Sequence, residues 1–217
     1  NAVNYDEAKA NPFPVPDPLV AKDGSRITTL AQWKNRRRPE LLRLVTQELY
    51  GAVPASAPKI TWHVDAMERQ TVQGIAVVTR HLTGRADNSA DPAINVEIKA
   101  DVTTPQSIVG RKVPLVLAIN NLRPFVFPPG MTPPPDPTPD WRLQILQRGW
   151  GYAIYDPTSV QADNGAGLTA GIIGLANRGK PRSLTDWGTL RAWAWGAGRV
   201  LDYLETDRDV DGARVAI

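Results

Sequence analysis

Val113-Pro114-Leu115-Val116-Leu117-Ala118-Ile119 decides how this chain is read. The run is apolar from end to end, flanked by Lys112 and Asn120, and too short for an ordinary helix. Continuous apolarity of this length marks a strand covered on both faces. A second such strand follows at Gly151-Tyr152-Ala153-Ile154-Tyr155. Between the two, Trp141–Gln147 has the pattern of a short helix that stops near Gly149. Beyond them the spacing predicts a long helix over 186–205, capped by Thr185 or Asp186. Leu190, Trp193, Ala194, Ala197, Val200, Leu201 and Leu204 share one face of it. Gly196 and Gly198 inside it cost about 1 kcal/mol each relative to Ala, which close approach of this helix to a sheet would offset. Arg214-Val215-Ala216-Ile217 opens a third buried strand. Strand, helix, strand, helix, strand in that order implies a parallel α/β sheet whose ligands lie beyond the carboxyl ends of the strands.

Upstream the grammar differs. Ile60, Trp62 and Val64 alternate with polar neighbours, as do Ile94, Val96 and Ile98, while 71–82 is rich in Val, Thr and Ile. These predict half-buried antiparallel strands leading into the parallel sheet, with Gly74 marking a bulge and 85–93 a loop. Pro39 and Glu40 open a helix carrying Leu41, Leu42, Leu44, Val45 and Leu49, with Gly51 as its stop. Residues 1–38 form an irregular lead-in in which Pro12, Pro14, Pro16 and Pro18 block helix and central strand. The remainder, 39–217, reads as one domain. Loop 120–140 holds eight prolines, and loop 156–184 is glycine-rich with a short helix at 168–177.

Composition removes several classes of function. With 217 residues, 42 % apolar and 22 % charged, the chain is that of a globular protein rather than a disordered one. No run of about 18 apolar residues predicts a membrane span. The net charge of +3 does not call for nucleic acid. The densest basic run, Lys34-Asn35-Arg36-Arg37-Arg38, reads as a solvated face. Cysteine is absent, which removes thiolate metal sites and cysteine nucleophiles. His63 and His81 lack metal-ligand spacing to a second ligand. No phosphate loop, dinucleotide fingerprint or Gly-x-Ser-x-Gly elbow occurs; Gly24-Ser25-Arg26 lacks the strand and helix such an elbow needs. Ser159 lies in the turn Asp156-Pro157-Thr158-Ser159 without a neighbouring base. Trp62, Trp187, Trp193 and Trp195 read as core, whereas Trp33, Trp141 and Trp150 stay open between core and sugar platform.

Two segments carry a resemblance. Arg37-Arg38-Pro39-Glu40-Leu41-Leu42 with Glu48-Leu49-Tyr50-Gly51-Ala52-Val53-Pro54 resembles the start of the glucuronoyl esterases. So does 186–196, Asp-Trp-Gly-Thr-Leu-Arg-Ala-Trp-Ala-Trp-Gly, continuing through Leu201-Asp202-Tyr203-Leu204-Glu205-Thr206-Asp207 to Ile217. The likeness runs from about residue 30 to the end.

The resemblance implies the N-terminal part of an α/β-hydrolase three-layer sandwich. It implies a serine esterase that works without metal or cofactor on esters between 4-O-methyl-glucuronate of xylan and lignin alcohols. The partners it implies are glucuronoxylan or lignin-carbohydrate ester and the remainder of its own hydrolase domain, with no nucleic acid and no membrane. It also implies a secreted or periplasmic protein. In that family the nucleophile sits in a Gly-x-Ser-Arg-x-Gly-Lys turn directly after the strand that matches 214–217, where the Arg assists the oxyanion; the acid and the histidine come later. None of these positions falls within 1–217, so no catalytic residue is assigned here. His63 and His81 are not promoted to fill the gap. Asn120, Asn121 and Arg123, after the first buried strand, are candidates for an oxyanion or substrate loop. Plain turn chemistry stands equally open for the two asparagines. Asp156, after the second buried strand, either orients another side chain or caps its loop. The loop here reads Asn120-Asn121-Leu122-Arg123-Pro124-Phe125, where the family pattern has Phe and Gly around an Asn, and Pro128–Pro139 resembles a family-variable insertion. Alternatives are a broader carboxylesterase or acetyl-xylan-type esterase of the same fold, or a non-catalytic carbohydrate-binding module.

Overall fold

The computed structural model describes residues 5–9, 15–107, 110–120 and 140–217. The chain divides into two compact units, Asn1–Leu49 and Tyr50–Ile217.

In the first unit the helical run begins at Leu30, well before Pro39. Thr29 caps it by accepting from the Gln32 N–H at 3.1 Å, and the Gln32 side chain reaches back to the Thr29 N–H. Helices α1 (Leu30–Gln32) and α2 (Arg38–Val45) are joined by wide turns over Trp33–Arg37. Proline lacks an N–H and its ring crowds the preceding turn, so a widened backbone ahead of Pro39 accommodates it. The expected start at Pro39 is thus a junction inside a longer helical run. Glu40 accepts from the Lys22 N–H at 2.9 Å and pairs with Arg37 at 2.7 Å.

The second unit is built on one mixed sheet of β1 (Ile60–Val72), β2 (Ile75–Ala86), β3 (Glu97–Pro105), β4 (Val113–Ile119), β5 (Gly151–Asp156) and β6 (Val210–Ala216). Their order across the sheet is β1-β2-β3-β5-β4-β6. The first three strands and the β3–β5 pair are antiparallel; β5, β4 and β6 are parallel. Gly74 is not in a bulge but at the tip of the β1–β2 hairpin, where Gln73 and Gly74 both have positive φ. The register shift lies elsewhere, between Val64 and Ala66.

Helices α3 (Trp141–Gln147), α4 (Gly171–Asn177) and α5 (Thr189–Thr206) complete the unit. Alternation along β5 shows where they sit. Tyr152 and Ile154 pack with Leu146 and Ile145 of α3, whereas Ala153 and Tyr155 pack with α4 and α5. The helices therefore lie on opposite faces of the sheet, the three-layer arrangement of an α/β protein.

The α4/α5 face holds the main core: Leu82, Ile98, Val102, Leu115 and Leu117 from the sheet, Ile172 and Ile173 from α4, and Ala192, Trp195, Val200 and Leu204 from α5. Close approach at Gly196 is real, since a Cβ there would lie 2.1 Å from Tyr155 Oη; nothing lies within 4 Å of one on Gly198. α5 starts at Thr189 with Gly188 as its cap, rather than at Thr185 or Asp186. Leu190 is exposed and Trp195, not Trp193, joins the core.

Candidate active-site edge

The parallel strands place their carboxyl ends along one edge of the sheet. Ile119 is in register with Tyr155, so β4 and β5 end side by side, and Ala216 of β6 pairs with Val116, three residues before the end of β4. The chain leaves β4 toward β5 on one side and later returns across β4 to β6 on the other. Such a reversal of strand order opens a crevice at the carboxyl ends, where α/β sheets hold their ligands.

Asn120 stands at that edge, exposed, immediately after β4. Its backbone N–H donates to the Tyr155 carbonyl at 2.9 Å. That donor is spent on extending the β4–β5 ladder and is not available to an oxyanion. An oxyanion contribution from this loop would come from the Asn120 side chain or from later residues. Asn121 and Arg123 lie outside the described residues, as does most of the proline-rich loop.

Asp156 ends β5 beside it. Its Oδ1 accepts from the Thr158 N–H at 2.9 Å and from the Thr158 hydroxyl at 2.6 Å. Its carbonyl accepts from the Ser159 hydroxyl at 2.5 Å, and Ser159 Oγ in turn accepts from the Lys99 N–H at 3.0 Å. The carboxylate thus closes the turn at Pro157–Ser159, and Ser159 tethers that turn to β3. Without a basic partner on its hydroxyl, Ser159 has no means of activation.

Tyr155 lies beneath the edge. Burial raises its pKa far above the usual phenol value, and its hydroxyl donates to the Trp193 carbonyl at 3.2 Å. It therefore remains a protonated strut between β5 and α5. Trp193 also braces the edge from α5, its indole N–H donating to the Gln161 carbonyl at 2.8 Å. Helical spacing puts Trp193 in the apolar stripe and gives no sign of this strut role.

The two segments that carry the family resemblance meet in space. The Gly188 N–H donates to the Tyr50 carbonyl, and the Ala52 N–H to the Thr185 carbonyl, both at 3.0 Å. Between them Gly51 adopts φ +74°, and a Cβ there would lie 2.0 Å from the Asp186 carbonyl oxygen. Only glycine fits that crossing. Trp187, fully buried, stacks edge-on against Trp195 at 5.8 Å.

The histidines sit elsewhere. His63 is exposed on β1. His81 Nδ1 lies 2.7 Å from Asp101 and Nε2 3.7 Å from Glu68. The hydrogen bond to Asp101 raises its pKa above the usual imidazole value. His81 is on the α3 face of β2, away from the carboxyl edge. Among the described residues no group of His, Asp and Glu could hold a metal ion, and no helix is long and apolar enough to cross a membrane.

A mixed sheet with parallel strands ordered β5-β4-β6 and helices on both faces is the architecture of the α/β-hydrolase class, and the known proteins that this chain is similar to are carbohydrate esterases of that fold. No family model matches the chain. A CE15 glucuronoyl esterase from Teredinibacter turnerae T7901 superposes with a TM-score of 0.82 at 36 % identity, covering 99 % of this chain and 52 % of that one. Carbohydrate esterase MZ0003, from an unknown prokaryotic organism, is 26 % identical over 248 residues, 99 % of this chain and 54 % of that protein. The 4-O-methyl-glucuronoyl methylesterase of Phanerochaete carnosa is 24 % identical over 216 residues, 94 % of this chain and 42 % of that protein. The chain spans about half the length of the curated relatives it matches. Over almost all of its own length it is similar to glucuronoyl esterases and shares their fold.

Proposed function

We propose that this chain supplies the sheet scaffold of a secreted serine esterase that cleaves 4-O-methyl-glucuronate esters linking xylan to lignin. The observation that carries the reading is the pairing of fold and likeness: parallel strands β5-β4-β6 ending on a common edge, in a chain 36 % identical to a glucuronoyl esterase along 99 % of its length. Chemistry proceeds by attack of a serine hydroxyl on the ester carbonyl, loss of the alcohol, and hydrolysis of the acyl-enzyme. The serine-bearing turn is expected directly after the strand that matches β6, and no residue within 1–217 takes the nucleophile, acid or base role.

The chain's own residues prepare the site. β4 and β5 set the floor, Asp156 and Ser159 hold the second loop in place, and the candidates for an oxyanion or substrate role remain Asn120, at the end of β4, with Asn121 and Arg123 after it in sequence. Fixed donors near a developing oxyanion lower the barrier most when nothing has to reorganise, and the tied loop after β5 serves that rigidity. The test uses the protein that carries this chain. Rates on the methyl ester of 4-O-methyl-glucuronate and on acetylated xylose are compared under one set of conditions. Preference for the uronate ester by at least tenfold is expected; preference for the acetate transfers the assignment to an acetyl-xylan-type esterase.

A further inference from the structure

The opposite edge of the parallel sheet holds a different kind of site. Four cations that are scattered in sequence converge there: Arg69 from β1, Arg111 and Lys112 just before β4, and Arg208 just before β6. They surround an open groove of about 590 Å³ whose floor includes Val78 and Pro105. Asp209 is the one carboxylate in the lining, and it is committed to Arg80 at 2.6 Å. Arg80 also pairs with Asp207 at 3.0 Å, and both partners of that pair are buried. With Asp207 and Asp209 both pinned to Arg80, the residue between them, Arg208, is turned outward; its side chain is 85 % exposed. Its nearest carboxylate oxygen, on Asp209, is 3.7 Å away. Among the described residues Arg69, Arg111 and Lys112 have no carboxylate within 4 Å. Lys112 lies in the field of Asp211, whose carboxylate pairs with Arg214 at 2.6 Å; with Arg69 and Arg111 outside every ion pair among the described residues and Arg208 held outward by a buried ion-pair network, the groove is a positive concavity that attracts anions.

We infer that this groove at the amino ends of β4 and β6 binds the carboxylate of an acidic sugar, as a second contact for a uronate-bearing polysaccharide. The inference rests on the proposed function only for the choice of carboxylate over phosphate or sulfate. Arg presents a planar donor fork that matches a carboxylate, and Met67 and Val78 offer apolar surface to the C–H face of a sugar ring. The strands separate the groove from the carboxyl edge by about 20 Å, so one small ester cannot reach both places but one polymer can. A second contact on the same polymer raises the local concentration of ester groups without changing the chemistry.

The experiment uses the protein that carries this chain and compares it with the double variant Arg111→Ser/Lys112→Ser and, separately, Arg208→Gln. Migration is followed in native gels containing glucuronoxylan or neutral arabinoxylan, and kcat and KM are measured on a small methyl glucuronate ester and on the polymer. Retardation by glucuronoxylan, but not by arabinoxylan, should fall about fivefold in the double variant and about twofold in Arg208→Gln. KM on the polymer should rise with kcat unchanged, and the small ester should be turned over as before. Unchanged retardation in both variants overturns the inference. So does equal retardation by single-stranded DNA, or displacement by inorganic sulfate at the concentration at which glucuronate displaces. Should the wild-type protein hydrolyse neither ester yet show uronate-dependent retardation that the variants lose, the proposed function fails and the groove stands.

Discussion

The two faces of the sheet are built from different chemistry. Toward α4 and α5 the sheet presents Leu82, Ile98, Ala100, Val102, Leu115 and Leu117, all buried in one continuous core. Toward α3 the buried apolar cluster among the described residues is Val77 and Tyr152 with Leu146. Farther out on that face, cross-strand polar pairs take over: Thr79 with Thr103 at 2.8 Å, His81 with Asp101 at 2.7 Å, and Lys99 with Thr83 at 2.7 Å. The lesson is that one face carries the stability while the other tunes it. Apolar burial yields roughly 25 cal/mol per Å², whereas a buried hydroxyl pair such as Thr79–Thr103 contributes about 1 kcal/mol net and the partly exposed His81–Asp101 pair less.

That contrast can be broken at several points. Trp187→Ala, in the core, should lower the unfolding free energy of the protein carrying this chain by about 3–5 kcal/mol in urea titration. Trp141→Ala, on the α3 face, removes an edge contact with Tyr152 at 5.6 Å from a residue 40 % exposed and should cost only about 1 kcal/mol. Equal costs would mean that the faces are equivalent.

Two glycines on α5 sharpen the comparison within one helix. Gly196→Ala pushes a methyl group into the Tyr155 hydroxyl and should destabilise by about 1–3 kcal/mol. Gly198→Ala meets open space and should stabilise by up to about 1 kcal/mol, the gain in helix propensity. Thermal melts of both variants decide, and a reversed order contradicts the packing of α5 on β5.

The smallest effect is pH-dependent. The Asp101 hydrogen bond raises the His81 pKa above 6.5, so this pair's contribution is fully present below the unfolded-state value. It is lost as pH rises through the folded-state value. Asp101→Asn should remove that slope, amounting to about 0.5 kcal/mol given the pair's exposure. A stability profile between pH 5 and 8 that is the same in the variant would show the pair to be inert.

How legible this was in the sequence follows from the same contrast. Continuous apolar runs and a short periodic segment between turn residues leave few alternatives, so the sequence bounds match β4 and α3 and fall one residue short of the end of β5. For α5 the spacing identifies the helix but not its buried face, since Trp and Ala recur at nearly every position of 192–197. The β1–β2 hairpin resembles a bulge in sequence because Gln73 carries positive φ without being Gly or Asn. The alternation at 94–98 marks only the start of β3, which runs over Glu97–Pro105; its Thr-rich end pairs through hydroxyls that a hydropathy pattern does not register. At the carboxyl edge, strand ends alone locate Asn120 and Asp156. What the sequence could not reveal is that the Asn120 N–H is already bonded to Tyr155, or that Arg69, Arg111, Lys112 and Arg208 meet, because both facts depend on strand order.

The most direct measurement follows hydrolysis of a benzyl ester of glucuronate by the protein carrying this chain, before and after treatment with a serine-directed fluorophosphonate. Steady release of benzyl alcohol, abolished when one fluorophosphonate per molecule is bound, is the predicted result. Absence of hydrolysis, or hydrolysis that persists after full labelling, would contradict the assignment of this sheet to a serine esterase.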